Sequence, residues 1–213
     1  MYATNNCKNV CFIAGLIVCM AAPVTGQTIS TSGTTQNVSL LPEYTDRWQA
    51  TADPAVFSDE SLLAAINSTF QNDNNRFYLF NKNEGLTGDI TWESDVNIQF
   101  DSLGFSELDL RLEGNGDVAF NGTVDDPNNE LPISLWLRGA NVSMGANASV
   151  DFDGGDFYVD SYGNVDVAAP INANVVDVDY GLGATVGDIT FGDRLRIGPN
   201  SYDSSTAHTG LTI

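Results

Sequence analysis

The sequence predicts an all-β protein built from many short strands, and three observations carry that expectation. First, apolar residues fall at every second position in short bursts, most densely in the stretch from Gly88 to Phe120, GDITWESDVNIQFDSLGFSELDLRLEGNGDVAF. The bursts there are Ile90/Trp92, Val96/Ile98/Phe100, Leu108/Leu110/Leu112 and Val118/Phe120. Alternation with a period of two puts one face of a strand in a core and the other in water. Second, Gly, Asn, Asp or Ser separates the bursts, as turns require. Third, each burst buries only about three side chains, so the strands are stable only when stacked or closed on one another.

Residues 1–26 read as a secretory signal, with Lys8 as the single positive charge and the apolar run Val10 to Ala22 behind it. That run is short for a membrane span. Val24-Thr25-Gly26 offers a cleavage site before Gln27. A lipoprotein route through Cys19 is less apt, because Val18 precedes it rather than a small residue. Cys7, Cys11 and Cys19 all lie in this segment, so the mature chain holds no disulfide, thiolate metal site or Cys nucleophile. No membrane span is expected in the mature chain.

Residues 27–57 form a Ser/Thr-rich leader with Leu40, Leu41, Tyr44 and Trp48 as anchors along the domain. The spacing then predicts a helix from Ser58 to Phe70. Ser58 serves as N-cap, Asp59 and Glu60 favour the positive helix end, and Leu62, Leu63, Ile66 and Phe70 form one stripe. Placed ahead of a stack of strands, such a helix would cover exposed strand edges. The strand domain, 58–213, continues after Tyr78/Phe80 with bursts at Leu135/Leu137, Val142/Met144, Val150/Phe152, Phe157/Val159, Val165/Val167, Val176/Val178, Ile189/Phe191 and Leu195/Ile197. Gly88-Asp89-Ile90-Thr91-Trp92 is echoed by Gly187-Asp188-Ile189-Thr190-Phe191. The alternation by itself leaves a solenoid and a β-sandwich both open.

One order of segments is distinctive: Ser58-x-x-x-Leu62-x-x-Ala65-Ile66-Asn67, then Gly88-Asp89-Ile90-Thr91-Trp92, Val96/Ile98, Glu107-Leu108-Asp109-Leu110, and Gly116-Asp117-Val118 followed by Asn121-Gly122. It resembles the haemagglutinin-type β-helices, the filamentous-haemagglutinin-like and autotransporter passenger proteins of bacterial surfaces. The resemblance covers about Asp59 to Val124 well and the rest loosely. It implies a right-handed parallel β-helix with a short N-terminal capping helix, export to the cell surface, and adhesion or self-association. The sequence departs from that group in carrying no secretion-domain signature near the mature N-terminus and in reaching Thr212-Ile213 without a barrel or anchor. The expectation is a product that is truncated at the C-terminal end or complete but small.

The formal charge of −20, from eight Lys and Arg against 28 Asp and Glu, excludes nucleic acid as a partner and disfavours an anionic membrane. In the Asp-rich segment 151–166, Asp151, Asp153 and Asp156 have the spacing of a calcium loop, with Asp177 and Asp179 as neighbours that would join. The competing reading makes them the wet half of strands and turn formers beside Gly154-Gly155. Tyr158 and Tyr162 fall out of phase with the core and are the candidate ligand-binding surface, whereas Trp92 and Trp136 are assigned to the core. Tyr180 is a further aromatic candidate. His208, the single histidine, sits in a Ser/Thr-rich tail, which argues against a triad or a histidine metal site. Arg111, Arg138, Arg194 and Arg196 are read as balancing nearby acids. Sequons at Asn37, Asn67, Asn121, Asn141 and Asn147 are attributed to chance in an Asn/Ser/Thr-rich chain.

The functional expectation is an exported or cell-surface adhesion or matrix protein that is not an enzyme and has no cofactor beyond possible calcium. It would bind host or matrix carbohydrate or protein, or itself, through the solenoid flank or by strand addition. A polysaccharide lyase or hydrolase is the alternative, and a structural filament subunit the second.

Overall fold

The computed structural model describes residues 27–30, 34–70, 75–82, 86–99, 107–126, 131–199 and 211–212. The expected export signal 1–26 with its three cysteines, Phe100 and His208 lie outside the described residues.

Strands β1 (Gln27–Ser30), β2 (Val38–Leu40), β3 (Arg47–Ala50) and β4 (Ala55–Ser58) lead into helix α1 (Asp59–Phe70). Three passages of three strands follow: β5 (Arg76–Asn81), β6 (Ile90–Trp92) and β7 (Asn97–Gln99); β8 (Leu108–Gly114), β9 (Val118–Phe120) and β10 (Thr123–Asp125); β11 (Ile133–Gly139), β12 (Val142–Met144) and β13 (Ser149–Val150). The chain closes with β14 (Phe157–Ser161), β15 (Asn164–Val167), β16 (Ile171–Tyr180), β17 (Gly183–Val186), β18 (Ile189–Pro199) and β19 (Leu211–Thr212).

These strands make three sheets. The first runs β19-β17-β15-β12-β9-β6-β1-β4, the second β18-β16-β14-β11-β8-β5-β3-β2, and the third β13-β10-β7. Each passage visits the second, first and third sheets in turn and stacks on the one before. Pairing is parallel throughout, apart from β2 with β3 and a bridge from Gln36 to Val56 among the described residues. This is not the antiparallel pairing of a β-sandwich.

Register aligns like with like. Phe77, Leu110, Leu135, Phe157 and Val176 form one inward column of the second sheet. Ile90, Val118, Val142, Val165 and Ala184 form another in the first. Most members of these columns are fully buried, and each large one contributes about 1.5–3 kcal/mol by leaving water. At the corner between these sheets the polar residues stack too. Asp89 Oδ1 accepts the Asp117 N–H at 2.8 Å, Asn141 Nδ2 donates to Asp117 Oδ1 at 2.8 Å, and Asn141 Oδ1 accepts the Asn164 N–H at 2.9 Å. Each side chain thus satisfies a donor one layer away, where a tight corner breaks the ladder.

The helix forms as its sequence suggests. The Ser58 hydroxyl accepts the Ser61 N–H at 3.3 Å, Asp59 and Glu60 occupy the first turn, and Leu62 and Ile66 are fully buried while Leu63 packs at the margin of the core. In chain order α1 stands where the third sheet would place a strand, and it packs against β4, β5 and β7. Beyond β6 the first sheet has two more strands, β1 and β4, and beyond β5 the second has β3 and β2. A helix about 10 Å across matches two strand layers of about 4.8 Å each. One helix therefore covers the β7 edge and levels the end of the stack.

Several local expectations change. Residues 27–57 are not a leader lying along the domain: they supply four strands, and Leu40 and Tyr44 are exposed rather than anchoring. In β5 Phe77 and Leu79 stand in register with the inward Leu110 and Leu112, so Tyr78, although itself buried, and Phe80 belong to the outer face. The Gly-Asp-Ile-Thr echo has no structural counterpart. Ile90 and Trp92 are buried in the first sheet, whereas Ile189 and Phe191 begin β18 of the second, with Phe191 exposed.

Candidate functional site

The outward surface of the second sheet differs from the rest of the molecule. Seven of the eight Lys and Arg residues lie beyond the first 26 positions. All seven sit on or beside this one sheet: Arg47 on β3, Arg76 on β5 with Lys82 just after it, Arg111 on β8, Arg138 on β11, and Arg194 and Arg196 on β18. The outward positions of the first sheet, by contrast, are Thr91, Ala119, Ser143, Asp166 and Thr185.

Register explains the assembly. Arg47, Tyr78, Arg111, Trp136, Tyr158, Asp177 and Arg196 stand side by side across seven strands. Arg47 lies 3.9 Å from the centre of the Tyr44 ring and 5.1 Å from Tyr78. Arg111 lies between Tyr78 at 5.0 Å and Trp136 at 4.1 Å, and Trp136 meets Tyr158 at 5.2 Å. Cations over aromatic faces and tilted ring pairs each stabilise by about 0.5–1.5 kcal/mol. The next column carries Glu113, Arg138, Asp160 and Asp179. Arg138 reaches Glu113 and Asp160 at 3.1 Å each, on the strands either side of it. Lys82 also pairs with Glu113, and Arg111 grips Asp109 through two nitrogens. At the sheet edge Arg196 is held by Asp177 at 2.8 Å and Asp179 at 2.6 Å.

Between the columns runs a groove of about 310 Å³ lined by Arg47, Tyr78, Phe80, Arg111, Glu113, Trp136 and Arg138 among others. The groove itself is lined by three arginines and one carboxylate, and the acids beside it, Asp46, Asp109 and Asp160, pair with those arginines and offset the excess. Burial works against the charge of Arg138, yet its hydrogen bond to the Tyr162 oxygen and the acids Asp160 and Glu113 hold its pKa above the ordinary value. Burial, and then the hydrogen bond donated to Asp156 at 2.9 Å, push the Tyr158 hydroxyl up to about 12. Neither group titrates near neutrality.

The two tyrosines singled out by sequence both reach this face. Tyr162 is 55% exposed with its oxygen accepting from Arg138, and Tyr158 is half-buried against Trp136. Trp136 corrects the expectation of a core residue: it lies between the inward Leu135 and Leu137 and so points out. The alternation already implied this, because adjacent residues of one strand cannot share a face. Trp92 is fully buried as expected, and Tyr180 is buried, not part of the surface.

Of the three aspartates of the calcium reading, Asp151 and Asp153 are neighbours and Asp156 does not join them. Asp151 lies near Asp125, Asp126 and Asp153, and burial followed by these neighbours raises its pKa. Asp156 instead turns to the second sheet, where its carboxylate accepts from the Tyr158 hydroxyl and the Val175 N–H. Asp177 and Asp179 are taken by Arg194 and Arg196. Among the described residues no group of three or more His, Cys, Asp or Glu is placed to hold a metal ion. The Asp153-Gly154 pair is turn chemistry: both have positive φ, 40° and 87°, and the Gly155 N–H donates to the Phe152 carbonyl at 2.7 Å, the pattern of a type I′ turn.

The fold and this face define a parallel, three-sheet coiled β protein with one aromatic and arginine-rich flank. No family model, curated protein or solved structure matches the chain.

Proposed function

We propose that this chain is an exported, right-handed parallel β-helix of adhesion or matrix type, which binds carbohydrate through the outer face of its second sheet. One observation carries the reading: every cation of residues 27–213, together with Tyr78, Trp136, Tyr158 and Tyr162, is gathered on a single flank around a groove. A charge-balanced surface of rings and forked guanidinium groups suits a polar, uncharged polymer. Ring edges and faces meet its C–H groups, and Arg and carboxylate pairs meet its hydroxyls. The resemblance to haemagglutinin-type surface proteins points the same way. Among the described residues no helix is long and apolar enough to cross a membrane.

The enzymatic alternative draws less support from the site. Glycoside hydrolysis takes two carboxylates across the scissile bond, and the groove is lined by one, Glu113, already engaged by Lys82 and Arg138. The test is a depletion assay of the full chain against insoluble cellulose, chitin and β-1,3-glucan, with immobilised heparin as the anionic comparison. Binding to a neutral glycan that Trp136→Ala abolishes, with the melting transition kept, supports the reading. Retention by none of these polymers, or equal retention of Trp136→Ala, overturns it.

A further inference from the structure

The first described residue is chemically out of place. Gln27 opens β1 and pairs with Ala55 on one side and Ile90 on the other. It therefore stands in the inward apolar column Ala55, Gln27, Ile90, Val118, Val142. It is 1% exposed, and neither its Oε1 nor its Nε2 has a hydrogen-bond partner. Its backbone N–H is satisfied, donating to the Asp89 carbonyl at 2.9 Å. An unpaired primary amide in a dry column is costly. Cleavage before Gln27 would add a second cost, an α-ammonium charge at the same buried spot.

One reaction removes the charge and the unpaired amide nitrogen together, leaving only the side-chain carbonyl oxygen as the lactam C=O. We infer that Gln27 is the mature N-terminus and is cyclised to pyroglutamate, an inference that rests on the export reading above. The neutral α-nitrogen attacks the side-chain Cδ, an N–Cδ bond forms, the Cδ–Nε2 bond breaks, and Nε2 leaves as ammonia with the proton given up by the α-nitrogen. No oxidant, reductant or co-reactant enters. The lactam keeps a single N–H, the donor already paired with the Asp89 carbonyl, while the charge and both amide donors of Nε2 disappear. The five-membered ring needs the side-chain length of Gln, since Asn at this position would have to close a four-membered one.

The experiment is the intact mass and N-terminal peptide map of the full chain, expressed with its own leader and recovered after export. The expected product begins at Gln27, is lighter than the uncyclised chain by one ammonia, and resists amine-directed labelling at that end. Pyroglutamyl aminopeptidase should remove the residue from unfolded protein and leave the folded protein untouched, because the ring is buried. The Gln27→Asn variant should retain a free amine and melt at a lower temperature. An exported chain that begins at Gln27 with a free amine overturns the inference and leaves export standing. A chain whose leader is cut elsewhere overturns the inference too, and a chain that keeps its leader overturns both.

Discussion

Arg138 joins two acids and a tyrosine on the candidate face, and replacing it with Met should destabilise the protein by a predictable amount. Met keeps most of the unbranched stem and deletes the guanidinium. Two ion pairs at 3.1 Å are lost, along with the hydrogen bonds to Tyr162. Exposed pairs contribute about 0.2–1 kcal/mol each, while stripping one partner from a fully buried pair costs about 3–5 kcal/mol. The Arg138 side chain is 35% exposed and its acids 16% and 19%, so the cost falls between those limits. Lys82 still compensates Glu113, which places the loss at about 1–2 kcal/mol. The assay is urea unfolding at low ionic strength and again in about 1 M NaCl, where the Debye length shrinks to about 3 Å. The midpoint should fall with an unchanged slope, and added salt should roughly halve the difference. A loss below about 0.5 kcal/mol, or one indifferent to salt, refutes the argument that a two-sided ion ladder stabilises this face.

Three further outcomes follow from the fold. Leu62→Ala, at a fully buried position of α1, should cost about 3 kcal/mol in urea unfolding, whereas Leu63→Ala at the margin should cost about 1 kcal/mol. Gly154→Ala meets nothing within 4 Å but forces φ +87° on a Cβ, whereas at Gly155 a Cβ would sit 2.2 Å from the Ile133 carbonyl oxygen; thermal melts should show a loss of about 1 kcal/mol for the first and a larger one for the second. Asp151 has a folded pKa raised above its unfolded one. The folded state therefore takes up the proton first, and this site costs stability above that pKa and is relieved as pH falls towards about 4. Asp151→Asn should raise stability by about 0.5 kcal/mol at pH 7, with the gain vanishing in melts below about pH 4.

The alternation of side chains was legible because it depends only on neighbours within one strand. Leu108/Leu110/Leu112, Phe157/Val159 and Val165/Val167 point inward as the pattern requires. A fixed repeat was not legible because none exists. From Phe77 to its partner Leu110 is 33 residues, from Leu110 to Leu135 is 25, from Leu135 to Phe157 is 22, and from Phe157 to Val176 is 19. Corners absorb the difference, so stacked residues drift out of any constant period. Phase failed where apolar residues are contiguous: Phe77-Tyr78-Leu79-Phe80 offers two equally greasy faces, and only the arginines on neighbouring strands show which one turns outward. The flank itself was beyond reach for the same reason. Arg47, Tyr78, Arg111, Trp136 and Tyr158 are scattered over more than a hundred positions and become neighbours only through inter-strand register, which unequal corners conceal. What the sequence does carry is a scarcity of cations in an acidic chain. Their convergence on one sheet is the consequence that physical stacking adds, since each guanidinium needs a ring or a carboxylate on the adjoining strand to offset its partial burial.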